Sequence, residues 1–357
     1  MKKIVVTGGL GFIGHHLITK LLQEDEDIKL TIIDNLSNVN QKFLNSISND
    51  NRNLFKAQDR YSVQFGKTSI SVIKQDIRNR ETIFDIFKQG QFDVCIHLAA
   101  KVSVVESVKD PNDTVAANIG GTFNVLDACA ENKVGNIVFA STGAVYGEPK
   151  ILPISEDHIL EPLSPYGASK IAGEMLLASY VHSSKIRSGI ALRFFNVYGE
   201  GQTAQYAGVI TSFVNRLSVG LPPIIYGDGA QTRDFIFVGD IVKGIIKAAN
   251  SNERVPGYNV FNLATGKSTS IYDLAKMMIR AYGYDGNMEP LYEPERKGDI
   301  KAALVDVSRS ERILGFKADT TLQAGLEQII LPSIIPSTDP TTTTTPKLKR
   351  VSSREKK

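Results

Sequence analysis

Cysteine is scarce: Cys95 and Cys129 are the only two in 357 residues, and both sit in apolar surroundings. They read as small core residues rather than a disulfide, and a chain of this length can bury a sizeable core without one, as one large domain or two. Histidine is nearly as rare, at five, and none is spaced with cysteine or carboxylate as a metal site would require. No apolar run is long enough to span a bilayer. The start, Met1-Lys2-Lys3-Ile4-Val5-Val6, runs straight into a glycine turn instead of a leader-like stretch. The expectation is a cytoplasmic protein with no membrane partner. Excess charge is lacking as well. The formal total is +3, but six Lys/Arg against one Glu between Lys347 and Lys357 contribute +5, which leaves the body near −2. The basic charge therefore belongs to a tail and argues against a nucleic-acid-binding body. With 42% apolar and 22% charged residues, the composition is that of an ordinary globular enzyme.

What is present is a rhythm of strands and helices. Lys3 to Thr7 is a short β-branched run, followed by Gly8-Gly9-Leu10-Gly11-Phe12-Ile13-Gly14 and a helical pattern through Leu22. Strand, glycine turn and helix together form a dinucleotide fingerprint: glycines let the backbone approach a pyrophosphate, and the helix N-terminus offers free N–H groups. A second strand, Leu30 to Ile33, ends at Asp34-Asn35. Asp34 stands twenty residues after Gly14, where an acid can accept hydrogen bonds from a ribose and would repel a 2′-phosphate, favouring NAD. Taken alone, Asp34-Asn35 would serve equally as a turn. The polar stretch Asn38 to Ser69 suggests one helix and a long excursion. Further strands are expected at Ser71–Lys74, before Asp76-Ile77, and at Phe92–His97, before Leu98-Ala99-Ala100. His97 reads as a packed core residue. A long helix, Asp113 to Asn132, carries Asn118 and Gly120-Gly121. Strands at Ile137–Ala140 and Ser188–Phe195 complete a doubly wound parallel sheet. Beyond Gly199 the rhythm breaks into shorter elements. Phe235–Val238 and Asn259–Leu263 look like strands returning to the main sheet, and Ile271–Tyr282 and Leu322–Ile330 like helices of a smaller lobe. From Pro332 the chain turns to Pro, Thr and Ser, with Thr341 to Thr345 unbroken, a composition that cannot bury enough apolar surface to order itself.

Chemistry concentrates in Ser164-Pro165-Tyr166-Gly167-Ala168-Ser169-Lys170. Pro165 suits the first turn of a helix, and the residues after it are good helix formers. Tyr166 and Lys170 then share one face, a turn apart. An ammonium near a phenol lowers its pKa and makes it a proton acceptor and donor nearer neutrality. A surface tyrosine above a surface lysine would look the same. Thr142, 24 residues earlier, lies at the carboxyl end of its strand, where such sheets bind ligands; it could also be a local cap.

These motifs, in order, resemble the extended short-chain dehydrogenase/reductase family and, within it, the UDP-hexose 4-epimerases. The resemblance runs from Lys3 to about Leu331. It rests on Thr7-Gly8-Gly9-x-Gly11-Phe12-Ile13-Gly14, Asp34-Asn35-Leu36, His97-Leu98-Ala99-Ala100, Tyr166-x-x-x-Lys170, Arg193-Phe194-Phe195-Asn196-Val197-Tyr198-Gly199, Gln231-Thr232-Arg233-Asp234-Phe235 and Arg296-x-Gly298-Asp299. It implies an α/β protein, a Rossmann sheet with a smaller C-terminal α+β substrate lobe. The NAD-binding part would comprise 1–195 with 236–264, the nucleotide-sugar lobe 196–235 with 265–331, and a disordered tail 332–357. It implies Thr142, Tyr166 and Lys170 as catalytic residues. NAD would be contacted by Gly8, Gly11, Phe12, Ile13, Gly14, Asp34, Asn35, Asp76, Ile77, Leu98, Ala99, Ala100, Asn118 and Phe194, together with Tyr166 and Lys170. Ser103, Asn196, Arg233, Arg296, Asp299 and Ala303 would face the UDP-sugar, the arginines pairing with its diphosphate; Arg233 could instead pair with Asp234 on the surface.

Tyr166 would take the proton of the sugar 4-hydroxyl while C4 gives hydride to NAD, and the 4-keto sugar would turn over before the hydride returns. Related dehydratases usually carry an acid within two positions after the Ser/Thr. Here Gly143 and Ala144 follow Thr142, which favours epimerisation. The resemblance implies that Ala303 would occupy a position that limits bulk at C2 and would leave room for an N-acetyl group, so that UDP-GlcNAc/UDP-GalNAc would fit as well as UDP-Glc/UDP-Gal. Lys101 departs from the family pattern, which has a polar uncharged residue there. A UDP-uronic acid epimerase and a non-catalytic NAD-binding sensor are the rival readings, and a homodimer through the helices Asp113–Asn132 and Ser164–Ser183 is the expected assembly.

Overall fold

A computed structural model of the chain describes residues 1–24, 27–47, 60–202, 208–251, 254–295 and 300–334, with side chains through 331. Eight strands form the main sheet: β1 (Lys2–Thr7), β2 (Ile28–Asp34), β3 (Arg60–Phe65), β4 (Thr68–Lys74), β5 (Val94–His97), β6 (Asn136–Thr142), β7 (Ser188–Phe194) and β8 (Gly257–Leu263). Their order is β8-β7-β6-β5-β1-β2-β4-β3, and every pair is parallel except β3–β4. The central strands are apolar without alternation because both faces are covered. Ile4, Val6, Ile32, Ile96, Val138 and Leu192 pack on one face with helices Phe12–Gln23 and Val238–Ala249. Val5, Ile33, Cys95, Ile137, Phe139 and Ala191 pack on the other with helices Arg80–Gly90, Thr122–Glu131 and Pro165–His182. Cys95 and Cys129 are buried and unpaired in this second layer. The strand order reverses between β1 and β5, which opens a crevice at their carboxyl ends. This is the doubly wound Rossmann sheet.

Several elements differ from expectation. Within the excursion 38–69 the structure has the helix Gln41–Ile47 and then β3, an antiparallel edge strand joined to β4 by a tight turn at Gly66, whose φ is +53°. β3 leaves one side toward solvent, so its sequence lacks the apolar run that marks the inner strands. Ile236–Phe237 does not return to the main sheet; it pairs with Val197–Tyr198 in a separate two-stranded ladder. The long helix begins at Pro111, two residues early, and carries a π-helical stretch, Ala116–Gly121, around Asn118. The last helix runs from Leu322 to Ile334, past the expected end at Ile330; the rest of the tail lies outside the described residues.

Beyond the sheet, a distinct apolar cluster gathers Phe213, Leu217, Ile225, Phe235, Ile271, Leu274 and Met278. It is built on helices Val209–Leu217 and Ile271–Ala281, whose apolar faces meet. Among the described residues no helix is long and apolar enough to cross a membrane.

Candidate active site

A cavity of about 590 Å³ opens at the crevice between β1 and β5, a size usual for a small-molecule site. Its floor is the glycine turn. Gly8 has φ +70°, and a Cβ there would stand 2.6 Å from the Ala99 nitrogen; a Cβ on Gly14 would stand 2.5 Å from the Gly8 carbonyl oxygen. The turn can exist in this form only without side chains at those positions. The helix Phe12–Gln23 that follows has Gly11 at its N-cap and no side chain capping it, so its first N–H groups remain available to an anion. Leu98, Ala99 and Ala100 form the opposite lip.

On the β2–β4 side stand two carboxylates. Asp34 is buried and accepts from the Leu10 N–H at 3.0 Å and the Leu36 N–H at 2.8 Å. Burial pushes its carboxyl up, and those two backbone bonds oppose the shift. Asp76 accepts from Asn35 Nδ2 at 3.0 Å and from Arg78 Nε at 2.9 Å. Burial would raise it, but the Arg78 and Asn35 hydrogen bonds together hold it down at about 2.

On the β6–β7 side the Tyr166–Lys170 helix meets the end of β6. Ser164 caps this helix by accepting from the Gly167 N–H at 3.2 Å, and Pro165 occupies its first turn. The Tyr166 phenol stands near enough to Thr142 for that residue to favour its ionised form, and Thr142 Oγ1 accepts from the Ala144 N–H at 3.2 Å. Lys170 is buried, donates from Nζ to the Ala140 carbonyl at 2.8 Å, and lies 4.9 Å from the Phe139 ring centroid.

The expected electrostatics are corrected here. Desolvation pushes the Tyr166 phenol up to about 12, with Thr142 pulling against it, and Lys170 is not among the groups that perturb it. Burial draws the Lys170 ammonium down to about 8, and the Glu174 carboxylate opposes that shift. In the free protein the ammonium therefore gives up its proton before the phenol does. Desolvation outweighs the one-turn neighbour.

The wall brings together Gly8, Gly11, Phe12, Ile13, Gly14, Asp34, Asn35, Asp76, Ile77, Leu98, Ala99 and Ala100 with Ser103, Thr142, Tyr166, Lys170, Phe194 and Asn196. Three other residues are not in it. Asn118 is buried and committed elsewhere: Oδ1 accepts from the Lys101 N–H at 2.7 Å, and Nδ2 donates to the Lys101 carbonyl at 2.9 Å and to Ser169 Oγ at 3.0 Å. It locks the loop after β5 to the helix Pro165–His182. Arg233 donates from Nη1 to the Thr232 and Ile300 carbonyls. Ala303 is buried, with Thr232 Oγ1 accepting from its N–H and its carbonyl accepting from Ser268. Arg296 and Asp299 lie outside the described residues. Asp234, the alternative partner of Arg233, accepts from Thr265 and Gly266. His97 is a core residue, with its ring nitrogens on Thr7 and Thr122. Among the described residues no group of His, Cys, Asp and Glu could hold a metal ion.

The family model described as the NAD dependent epimerase/dehydratase family matches residues 4–264. The chain belongs to that family. It is 37% identical to a putative UDP-glucose 4-epimerase of Methanocaldococcus jannaschii, over 92% of this chain and 97% of that one. Its structure is similar to that of the UDP-glucose 4-epimerase of Thermotoga maritima with UDP-glucose, at TM-score 0.80 and 32% identity, covering 92% of this chain and 97% of the other. It is likewise similar to a UDP-N-acetylglucosamine 4-epimerase from Methanobrevibacter ruminantium in complex with UDP-N-acetylmuramic acid, at TM-score 0.78 and 34% identity, with coverages of 92% and 97%. NAD is the cofactor of this epimerase/dehydratase-family protein, and the residues fit it: an uncapped helix N-terminus, a turn closed to any Cβ, and Asp34 beside them.

The epimerase/dehydratase chain also holds residues that the sequence did not flag. Arg78 lines the cavity and binds both Asp76 and Asp113, and Lys101 reaches Asp113 at 2.8 Å, so one aspartate ties two cations at the rim. The second residue after a strand-end aspartate is a usable signal for Arg78; Asp113, 35 residues away, is not.

Proposed function

We propose that the protein is a nucleotide-sugar epimerase that inverts C4 of a UDP-hexose through a transient 4-keto sugar. The observation that carries this is the meeting of Thr142, Tyr166 and Lys170 in the wall of the cavity that also contains the glycine turn. NAD, when bound, would supply a hydride acceptor and donor. Tyr166 takes the proton of the 4-hydroxyl as the C4 hydrogen leaves and returns it when the opposite face is reduced. Thr142 holds the reacting oxygen, and Lys170 holds the ribose beside the phenol. Asn196, Arg233 and Arg296 are assigned to the diphosphate, with Ser103 and Asp299 nearer the sugar.

Elimination is disfavoured by what surrounds Thr142. A Cβ on Gly143 would meet the Phe195 ring at 2.8 Å, and Ala144 has no proton to transfer. Among the described residues lining the cavity the carboxylates are Asp34 and Asp76, both on the β2–β4 side. The assembly we propose is a homodimer through the helices Pro111–Glu131 and Pro165–His182, which leave Val115, Phe123 and Met175 exposed.

The test is incubation with a panel of UDP-sugars and no added cofactor, followed by separation of C4 epimers. UDP-Glc and UDP-Gal are expected to interconvert, and so are UDP-GlcNAc and UDP-GalNAc, because the family resemblance sets the small Ala303 against C2 of a bound sugar, although Ala303 is buried outside the cavity wall of the free chain. Turnover of the non-acetylated pair alone refutes the wider pocket. Turnover of UDP-glucuronate alone moves the assignment to a uronic acid epimerase, and no turnover with any sugar favours a sensor.

A further inference from the structure

Two loops face each other across the rim of the cavity. Arg78 stands four residues past the end of β4, and Lys101 four residues past the end of β5. Both line the cavity. In the sheet order β5-β1-β2-β4 the strands that carry them are three steps apart, or about 14 Å at ordinary strand spacing. The glycine turn and Asp34 lie at the ends of the two strands between. One carboxylate closes that span. Asp113 Oδ1 accepts from Arg78 Nη1 at 2.7 Å, and its Oδ2 holds the Lys101 ammonium at 2.8 Å.

Asp113 itself stands outside the cavity wall, in the first turn of the helical run Pro111–Glu131. That run also grips the backbone of both loops. Asn118 takes the Lys101 N–H and donates to the Lys101 carbonyl. Asn124 Nδ2 donates to the Ile77 carbonyl at 3.0 Å and to the Arg78 carbonyl at 3.2 Å. The other edge of the Arg78 guanidinium is held by Asp76, with Nε at 2.9 Å and Nη2 at 2.8 Å from its carboxylate. Exposed ion pairs usually contribute little, because two long side chains must be immobilised to make them. Here the root of each cation is fixed by the same helix that supplies the anion, so much of that freedom is already lost on folding. The family pattern has an uncharged residue at 101, so the Lys101 arm is a feature of this chain.

We propose that Asp113 is a positioning residue for the cofactor site, clasping the loops after β4 and β5 across the crevice and slowing the release of bound NAD. The proposal rests on the cofactor and not on the identity of the sugar. The side chains of Arg78, Lys101 and Asp113 are 43%, 32% and 44% exposed, so salt reaches the clasp and loosens it.

The test follows the release of NAD from protein loaded with it, the freed NAD being reduced at once by excess alcohol dehydrogenase and ethanol and read by the absorbance of NADH. Asp113→Asn keeps the shape of the side chain and removes its charge. At low salt it should release NAD about fivefold faster than the native protein. Added sodium chloride should speed release from the native protein and change the variant little, so that the two rates converge. Asp113→Glu keeps the charge and should stay nearer the native rate. Lys101→Met cuts one arm, should fall between native and Asp113→Asn, and carries the same decision if Asp113→Asn does not fold. Release at the native rate overturns the proposal, and so does slower release, in which Arg78 and Lys101 would hold the anionic cofactor themselves. An equal gain in rate at every salt concentration also overturns it, since Asp113 would then act through the helix and not through its ion pairs. A protein that cannot be loaded with NAD contradicts it outright. Absence of sugar turnover would remove the epimerase reading and leave the release result standing.

Discussion

Replacing Tyr166 by phenylalanine should lower turnover by about a thousandfold, within the range for loss of a positioned acid–base group, while the protein keeps its NAD. The substitution removes one oxygen and leaves the ring. The backbone stays anchored, because the Tyr166 N–H donates to Ser107 Oγ at 3.2 Å irrespective of side chain. Lys170 keeps its bond to the Ala140 carbonyl, and the glycine turn is untouched. What is lost is the hydroxyl near Thr142, the group able to exchange a proton with a sugar oxygen. The ratio of NAD to protein after purification and kcat on the panel together decide the matter. Unchanged turnover would mean that the phenol is a wall residue, and loss of NAD would mean that its role is in binding.

The second large effect concerns the fold. Arg193→Leu should destabilise the protein by about 3–5 kcal/mol, because it strands a carboxylate that burial prevents water from solvating. Glu174 is fully buried and accepts from Arg193 Nε at 2.9 Å and Nη2 at 2.6 Å. It would keep only Ser141, and the Tyr146 hydroxyl and the Glu156 carbonyl would each lose a donor. Equilibrium unfolding in urea, with the midpoint and slope fitted together, measures this. A midpoint within error of the native chain would show that the site admits water and that the pair is not isolated. The contrast with Glu174→Gln/Arg193→Met matters here: removing both charges should cost far less than removing one.

The first half of the fold was legible because burial on both sheet faces writes itself into the strands as unbroken apolar runs, as in Ile4-Val5-Val6 and Val94-Cys95-Ile96. β3 was not, since an edge strand with a solvent side carries a diluted pattern. Ile236–Phe237 is two residues long, and its partner Val197–Tyr198 is fixed by tertiary position rather than by local sequence. In the site, Gly8, Gly14, Asp34, Thr142, Tyr166 and Lys170 were found by spacing, and the structure brings them into one cavity. The partners of Asn118, the Lys101 backbone and Ser169, were not legible because they are 17 and 51 residues away. In the free chain desolvation sets the direction of the Tyr166 shift: spacing reports which charges are near, but not how much water is gone. The Glu174–Arg193 pair did leave a trace. A charge at the fourth residue after Lys170 lies on the buried face, and an arginine interrupts the otherwise uncharged strand Ser188–Phe194. Each demanded a partner.

The central claim is that a hydride leaves C4 and returns to C4 while one phenol moves the proton of the adjoining oxygen. The most direct measurement is incubation with UDP-glucose deuterated at C4, without added NAD, followed by mass analysis of the epimer formed. The account requires that the product retain its deuterium in ordinary water. An epimer that has exchanged that deuterium for hydrogen from solvent would place a proton transfer where the hydride should be, and would contradict it.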